Sequence, residues 1–162
     1  MDANAALAET LRTVGPQLDA ARCRWTVISS AAVAVHTGNA AGVGDVDVLL
    51  DEAGASAAFS ALGLPLTAGQ GTDLFRSRYF GQWLGSPLTV ELFAGFSLFR
   101  GGVWSQIEVA DRREASFRGA RVFVPEAGEL AAMLRSFGRD KDLKRAALLS
   151  PSGPSPSRPG IA

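Results

Sequence analysis

Apolar residues in this chain change their spacing from segment to segment. Leu7, Leu11, Val14 and Leu18 recur three and four apart, so residues 2–20 read as a helix, with Gly15-Pro16 as a break. Arg24–Ile28 reads as a buried strand. Ser29-Ser30 then offers hydroxyls where a helix begins, as N-caps do, and Ala31–His36 opens that helix. Residues 38–44 form a glycine-rich loop before a second strand, Val46–Leu50. An alanine-rich helix covers 54–62 and ends at Gly63 and Pro65. Leu74–Phe80 alternates as a strand with Arg76 and Arg78 on one face. Leu88–Phe93 is a further strand after the Gly85-Ser86-Pro87 turn, so 72–93 resembles a hairpin. The stretch 94–102 reads as an aromatic and glycine loop, and shorter strands fall at 103–109, 115–118 and 121–124. Pro125 starts a helix to about Ser136, Gly138 breaks it, and a last helix runs from Asp140 to Leu149. The Pro/Ser-rich residues 150–162 cannot build a core and are expected to be a disordered tail. The expected fold is α/β (α+β), a mixed β-sheet flanked by helices, in one domain spanning 1–149.

Composition narrows the function classes. The chain has 162 residues, 47% of them hydrophobic, with 16 basic and 16 acidic side chains. A neutral balance argues against a scaffold that grips long nucleic acid, which needs basic excess. Cys23 is the only cysteine, so no intrachain disulfide forms, which suits a cytoplasmic protein. Cys23 precedes a buried strand and is expected to be inert. No secretory leader and no membrane span are expected.

The candidate chemistry centres on Asp45-Val46-Asp47. Carboxylates two apart on a strand share a face, and Val46 and Val48 anchor the other face. Such a pair suits a hard divalent cation that takes oxygen ligands and binds substrate phosphates. Glu91 repeats the pattern between Val90 and Leu92. Solvated strand ends are the competing explanation for all three. His36 reads as a helix-end residue packed locally. Trp83, Phe93, Phe96, Phe99 and Trp104 are read mainly as core, with base stacking as the alternative.

The order of strand, Ser-Ser, helix, glycine-rich loop, Asp-x-Asp strand and later carboxylate strand resembles the nucleotidyltransferase superfamily. That superfamily includes DNA polymerase β and the small antibiotic-modifying adenylyltransferases, and the resemblance spans roughly 24–149. The matching positions are Ser29-Ser30, Asp45, Asp47 and Glu91; His36 and Gly38 fall near a helix-end His-Gly, and Arg139-Asp140-Lys141-Asp142 resembles a late Lys-Asp element.

The resemblance implies a nucleotidyltransferase-like fold and transfer of a nucleoside monophosphate from a nucleoside triphosphate (NTP) to an acceptor hydroxyl. Mg²⁺ or Mn²⁺ would be held by Asp45, Asp47 and Glu91, with Glu91 as ligand or base, and the phosphates by Ser29, Ser30, Lys141 and Lys144. Acceptors in this reading are a small molecule, a protein side chain, or a tRNA end as in toxin-like relatives of toxin-antitoxin systems. A homodimer partner or another protein is expected to complete the site. The chain departs from the family pattern at Ser29, where glycine is usual, and at Ala41 and Val43, where Arg and Thr are common. One extra residue also separates His36 from Gly38. These departures motivate a second reading, a catalytically degenerate binding or regulatory module on the same fold. A third is an unrelated α/β domain with no nucleotide role.

Overall fold

Four strands, the two central ones alternating polar with buried apolar residues, build the sheet that carries the acidic residues. In the computed structural model, which describes residues 1–149, these strands are β1 (Trp25–Ile28), β2 (Asp45–Leu50), β4 (Tyr79–Trp83) and β5 (Thr89–Ala94), in the order β1-β2-β5-β4. β1 runs antiparallel to β2, β2 parallel to β5, and β4 antiparallel to β5. The sheet is therefore mixed. Register sets the site: Asp47 pairs with Ile28 on one side and Glu91 on the other, and Glu91 pairs with Gln82. The intervening Val46, Val48, Val90 and Leu92 are fully buried.

Two small sheets complete the strands. β3 (Phe75–Arg76), β6 (Ser97–Arg100) and β7 (Val103–Gln106) form one, and β8 (Arg112–Phe117) pairs with β9 (Ala120–Pro125) in the other. The expected strand 74–80 is thus two strands in different sheets. Backbone pairing explains the split, because Arg76 faces Ser97 whereas Tyr79 faces Ala94. The expected loop 94–102 contains β6, whose Leu98 is buried and pairs with Phe75.

The helices are α1 (Ala3–Ala20), α2 (Ser29–Thr37), α3 (Ala55–Ala61), α4 (Ala127–Phe137) and α5 (Asp140–Leu149). α1 runs through Gly15-Pro16 without the expected break. An interior proline costs about 3 kcal/mol. Burying each of Leu7, Leu11, Val14 and Leu18 returns roughly 1.5–3 kcal/mol, and all four are fully buried. Gly15 sits against the Trp25 ring, where an added Cβ would lie 3.4 Å from a ring carbon. Trp25 is itself fully buried and donates from Nε1 to Asp19 at 2.8 Å.

α4 begins later than expected. Pro125 ends β9, and Glu126 caps the helix by accepting from the Gly128 and Glu129 amides. Gly38 and Gly138 end α2 and α4 in the left-handed conformation, at φ of 77° and 75°. α2 packs on β1, β2, α4 and α5, which brings its N-terminus and the start of α5 beside the acidic strands. No helix among the described residues is long and apolar enough to cross a membrane. The expected disordered tail, 150–162, lies outside the described residues.

Candidate active site

Asp45, Asp47 and Glu91 meet at one point: a ligand oxygen from each lies within 4.8 Å of the others. Strand pleating accounts for this, since Asp45 and Asp47 share a face of β2 and Glu91 lies directly beside Asp47 on β5. Gln82, from the edge strand, donates to Glu91 Oε2 at 2.9 Å and fixes its carboxylate. Asp47 Oδ1 is the one buried side-chain oxygen without a hydrogen-bond partner among the described residues.

Electrostatics follow from this crowding. Burial, then the charges of Asp45 and Glu91, push the Asp47 carboxyl up to about 7, while the Ser29 hydroxyl pulls the other way. Asp45 is raised as well, by burial and by Glu91, and is drawn down by the charges of Arg145 and Lys141. Asp45 and Asp47 thus hold their charge at a cost that a cation bound among the carboxylates would relieve. The donor set is all oxygen, the preference of hard divalent ions. Together with the orphaned Asp47 oxygen, it fits Mg²⁺ or Mn²⁺.

The carboxylates open into a cleft of about 710 Å³. Ser29 and Ser30 line it at the start of α2. The expected N-cap role does not occur: Ile28 holds the cap position and no side chain caps the helix. Ser29 has φ of 59°, a left-handed conformation that favours glycine. The glycine usual at this place in the resembled pattern is thus explained by backbone geometry, which serine adopts here.

α5 supplies the cationic wall. Lys141 lines the cleft, but Lys144 does not; it lies exposed, and Arg139 and Arg145 line the cleft instead. Asp142 is fully buried and accepts two bonds from the Arg139 guanidinium, at 2.6 and 3.0 Å, and one from its backbone amide at 3.3 Å, with Arg145 at 3.9 Å. Its neighbours Asp140 and Lys141 are exposed, so the charged run 139–142 is not uniformly a solvated face. Sequence reading missed both arginines and Asp142. The only available signal was the four-residue spacing of Lys141 and Arg145.

Of the other singled-out residues, His36, Arg78 and Cys23 do not line the cleft. His36 Nε2 lies 2.8 Å from the Pro125 carbonyl oxygen, so it ties the end of α2 to β9 instead of packing locally as expected. Arg78 pairs with Glu52 at 2.6 Å. Cys23 is buried, and burial with the adjacent Asp51 pushes its thiol up to about 12. Phe93 and Phe96, read mainly as core, line the cleft; Phe99 is partly exposed against Trp104.

Comparison with known proteins fits this geometry. No family model and no curated protein matches the chain by sequence. Solved structures do match in fold. A candidate nucleotidyltransferase from Thermotoga maritima superposes with a TM-score of 0.64 at 22% identity, over 78% of this chain and 81% of its own. The antibiotic-resistance factor ANT(2'')-Ia matches in solution with a TM-score of 0.53 at 12% identity, covering 86% of this chain and 82% of its own. Its crystal structure with adenylyl-2''-tobramycin matches at 0.57 and 8% identity, covering 86% and 85%. The chain has a nucleotidyltransferase-like fold.

Proposed function

We propose that this protein transfers a nucleoside monophosphate from an NTP to an acceptor hydroxyl. The observation that carries the reading is the meeting of Asp45, Asp47 and Glu91 within 4.8 Å, at the floor of a cleft also lined by a helix N-terminus and the cations of α5. Residues 1–149 constitute the transferase unit. Asp45, Asp47 and Glu91 would hold Mg²⁺ or Mn²⁺. When bound, the metal neutralises triphosphate charge and stabilises the attacking and leaving oxygens.

The chain's own groups do the rest. Ser29, Ser30 and the first amides of α2 take phosphate oxygens, because a helix N-terminus leaves amide donors free and carries positive partial charge. Lys141 and Arg145 add positive charge from α5, which packs against α2. Asp142, fully buried against Arg139 and Arg145, holds these guanidinium groups in place. The acceptor oxygen bonds to the α-phosphorus, the bond from that phosphorus to its bridging oxygen breaks, and pyrophosphate leaves with the electron pair. The acceptor's proton passes to the Glu91 carboxylate, which Gln82 orients. Catalysis of this kind is positioning plus electrostatics.

The test is transfer of α-labelled nucleotide to an acceptor pool with Mg²⁺, alongside release of pyrophosphate. Wild type labels an acceptor, and Asp45→Asn, folded by circular dichroism, does not. Equal labelling by that variant would refute the site. Asp45-dependent triphosphate binding without any transfer would support the degenerate-module reading that Ser29, Ala41 and Val43 motivated.

A further inference from the structure

The acidic face of the sheet changes character within one strand step. Glu91 and Phe93 are two apart on β5 and share a face. On β4, Gln82 pairs with Glu91 and Phe80 with Phe93. From there a continuous aromatic wall runs away from the carboxylates. Ring centroids lie 5.2 Å apart for Phe80–Phe93, 5.1 Å for Phe93–Phe96, 5.3 Å for Phe96–Phe75 and 5.0 Å for Phe75–Phe137. All five rings line the cleft, and Phe75, Phe80 and Phe93 remain only half-buried.

The wall's charges are positive. Arg76 stacks on Trp104 at 4.2 Å, and Arg139 lies 4.9 Å from the Phe75 centroid. Among the described residues, the acidic side chains lining the cleft are Asp45, Asp47 and Glu91 alone.

We infer that this wall seats the acceptor, and that the acceptor is a flat or apolar hydroxyl compound, neutral or anionic, and not a polyamine. The inference rests on the nucleotidyl-transfer reading, which assigns Glu91 the acceptor's proton. Sheet order separates the two substrates. Ser29 follows Ile28, which pairs with Asp47 from β1, whereas Glu91 and Phe93 on β5 and Phe80 on β4 lie on Asp47's other side; Phe96 follows β5, and Phe75 and Phe137 come from β3 and α4. The start of α2 and the Phe80–Phe93 pair thus flank Asp47, and the cationic and aromatic walls meet where Arg139 lies against Phe75. An ammonium group on this wall would gain a weak attraction from the ring faces. It would give up hydration while Arg76 repelled it, and the carboxylates of the same cleft are those assigned to the metal.

A charge-graded series of one benzylic alcohol tests it. The probes are 4-(hydroxymethyl)benzoate, 4-methylbenzyl alcohol, 4-(aminomethyl)benzyl alcohol and, as polycation, tobramycin. Dissociation constants are read on the full chain by ligand-observed NMR. The anionic and neutral alcohols bind about tenfold tighter than either cation, a difference of about 1.4 kcal/mol. Phe93→Leu, which keeps an apolar side chain and loses the ring, weakens the neutral alcohol severalfold, and Arg76→Gln removes the anion's advantage over it. Equal or tighter binding of a cation, or wild-type affinities in Phe93→Leu, overturns the inference. Magnesium-dependent triphosphate binding in the same preparation, with no charge preference among the alcohols, overturns it while leaving nucleotidyl transfer standing. Absence of that triphosphate binding overturns both.

Discussion

At the scale of the residue, Asp47 carries two signatures. Its carboxyl is pushed up to about 7 in the fold, whereas the ordinary value is 3.8. Between these values the folded chain keeps a proton that the unfolded chain releases, so stability falls as pH rises across that window. In metal-free protein, Asp47→Asn therefore gains on wild type from about pH 4 to about pH 7, and the gain is constant above that range. Urea denaturation in EDTA across that range checks this; parallel curves for the two proteins would contradict it. Ser29 offers a second check. A β-branched side chain strains the left-handed conformation that Ser29 holds, so Ser29→Val destabilises by about 2 kcal/mol and Ser29→Gly does not, measured by the same denaturation. The departure from glycine at this place was legible in the sequence, but its meaning was not, because a positive φ appears only once strand and helix are joined.

Elements explain which parts of the sequence could be read. β2 and β5 were legible because each alternates carboxylate with buried Val or Leu, and that alternation also marked the acidic triad. β6 was read as a loop because Gly95, Gly101 and Gly102 bracket it, and its pairing with β3 and β7 depends on chain far away. α1 was read with a break because proline disfavours helix locally, while the packing that overrides it belongs to β1 and β9. Asp142 was the least legible. In a run of four charged residues nothing local marks the one that turns inward. Its burial against Arg139 makes a specific prediction: Asp142→Asn lowers stability by about 2 kcal/mol, below the cost of breaking a fully buried pair because Arg139 is 38% exposed. The same variant weakens triphosphate binding, and a double-mutant cycle with Arg139→Gln recovers part of the stability loss. Additive losses would show that the pair does not act as a unit.

The whole molecule sets the charge balance that the cleft redistributes. Sixteen acidic and sixteen basic residues cancel overall, yet one cleft gathers three carboxylates from β2 and β5 and the cations of α5. Net neutrality said nothing about this gathering, which required the parallel pairing of β2 with β5 and the packing of α2 against α5. A triphosphate bound with Mg²⁺ at a hundredfold excess over its Kd adds about 2.7 kcal/mol of stability. For a chain of this length the Tm then rises by roughly 5–11 °C. Thermal unfolding checks it, with no rise expected for Mg²⁺ and triphosphate in Asp45→Asn.

Titration of Mn²⁺ into the protein, followed by electron paramagnetic resonance, reads the convergence of the three carboxylates directly. Wild type removes free Mn²⁺ signal stoichiometrically, more tightly when a triphosphate is present, and the Asp45→Asn/Asp47→Asn/Glu91→Gln variant leaves it free. Equal Mn²⁺ uptake by the two proteins would contradict the account.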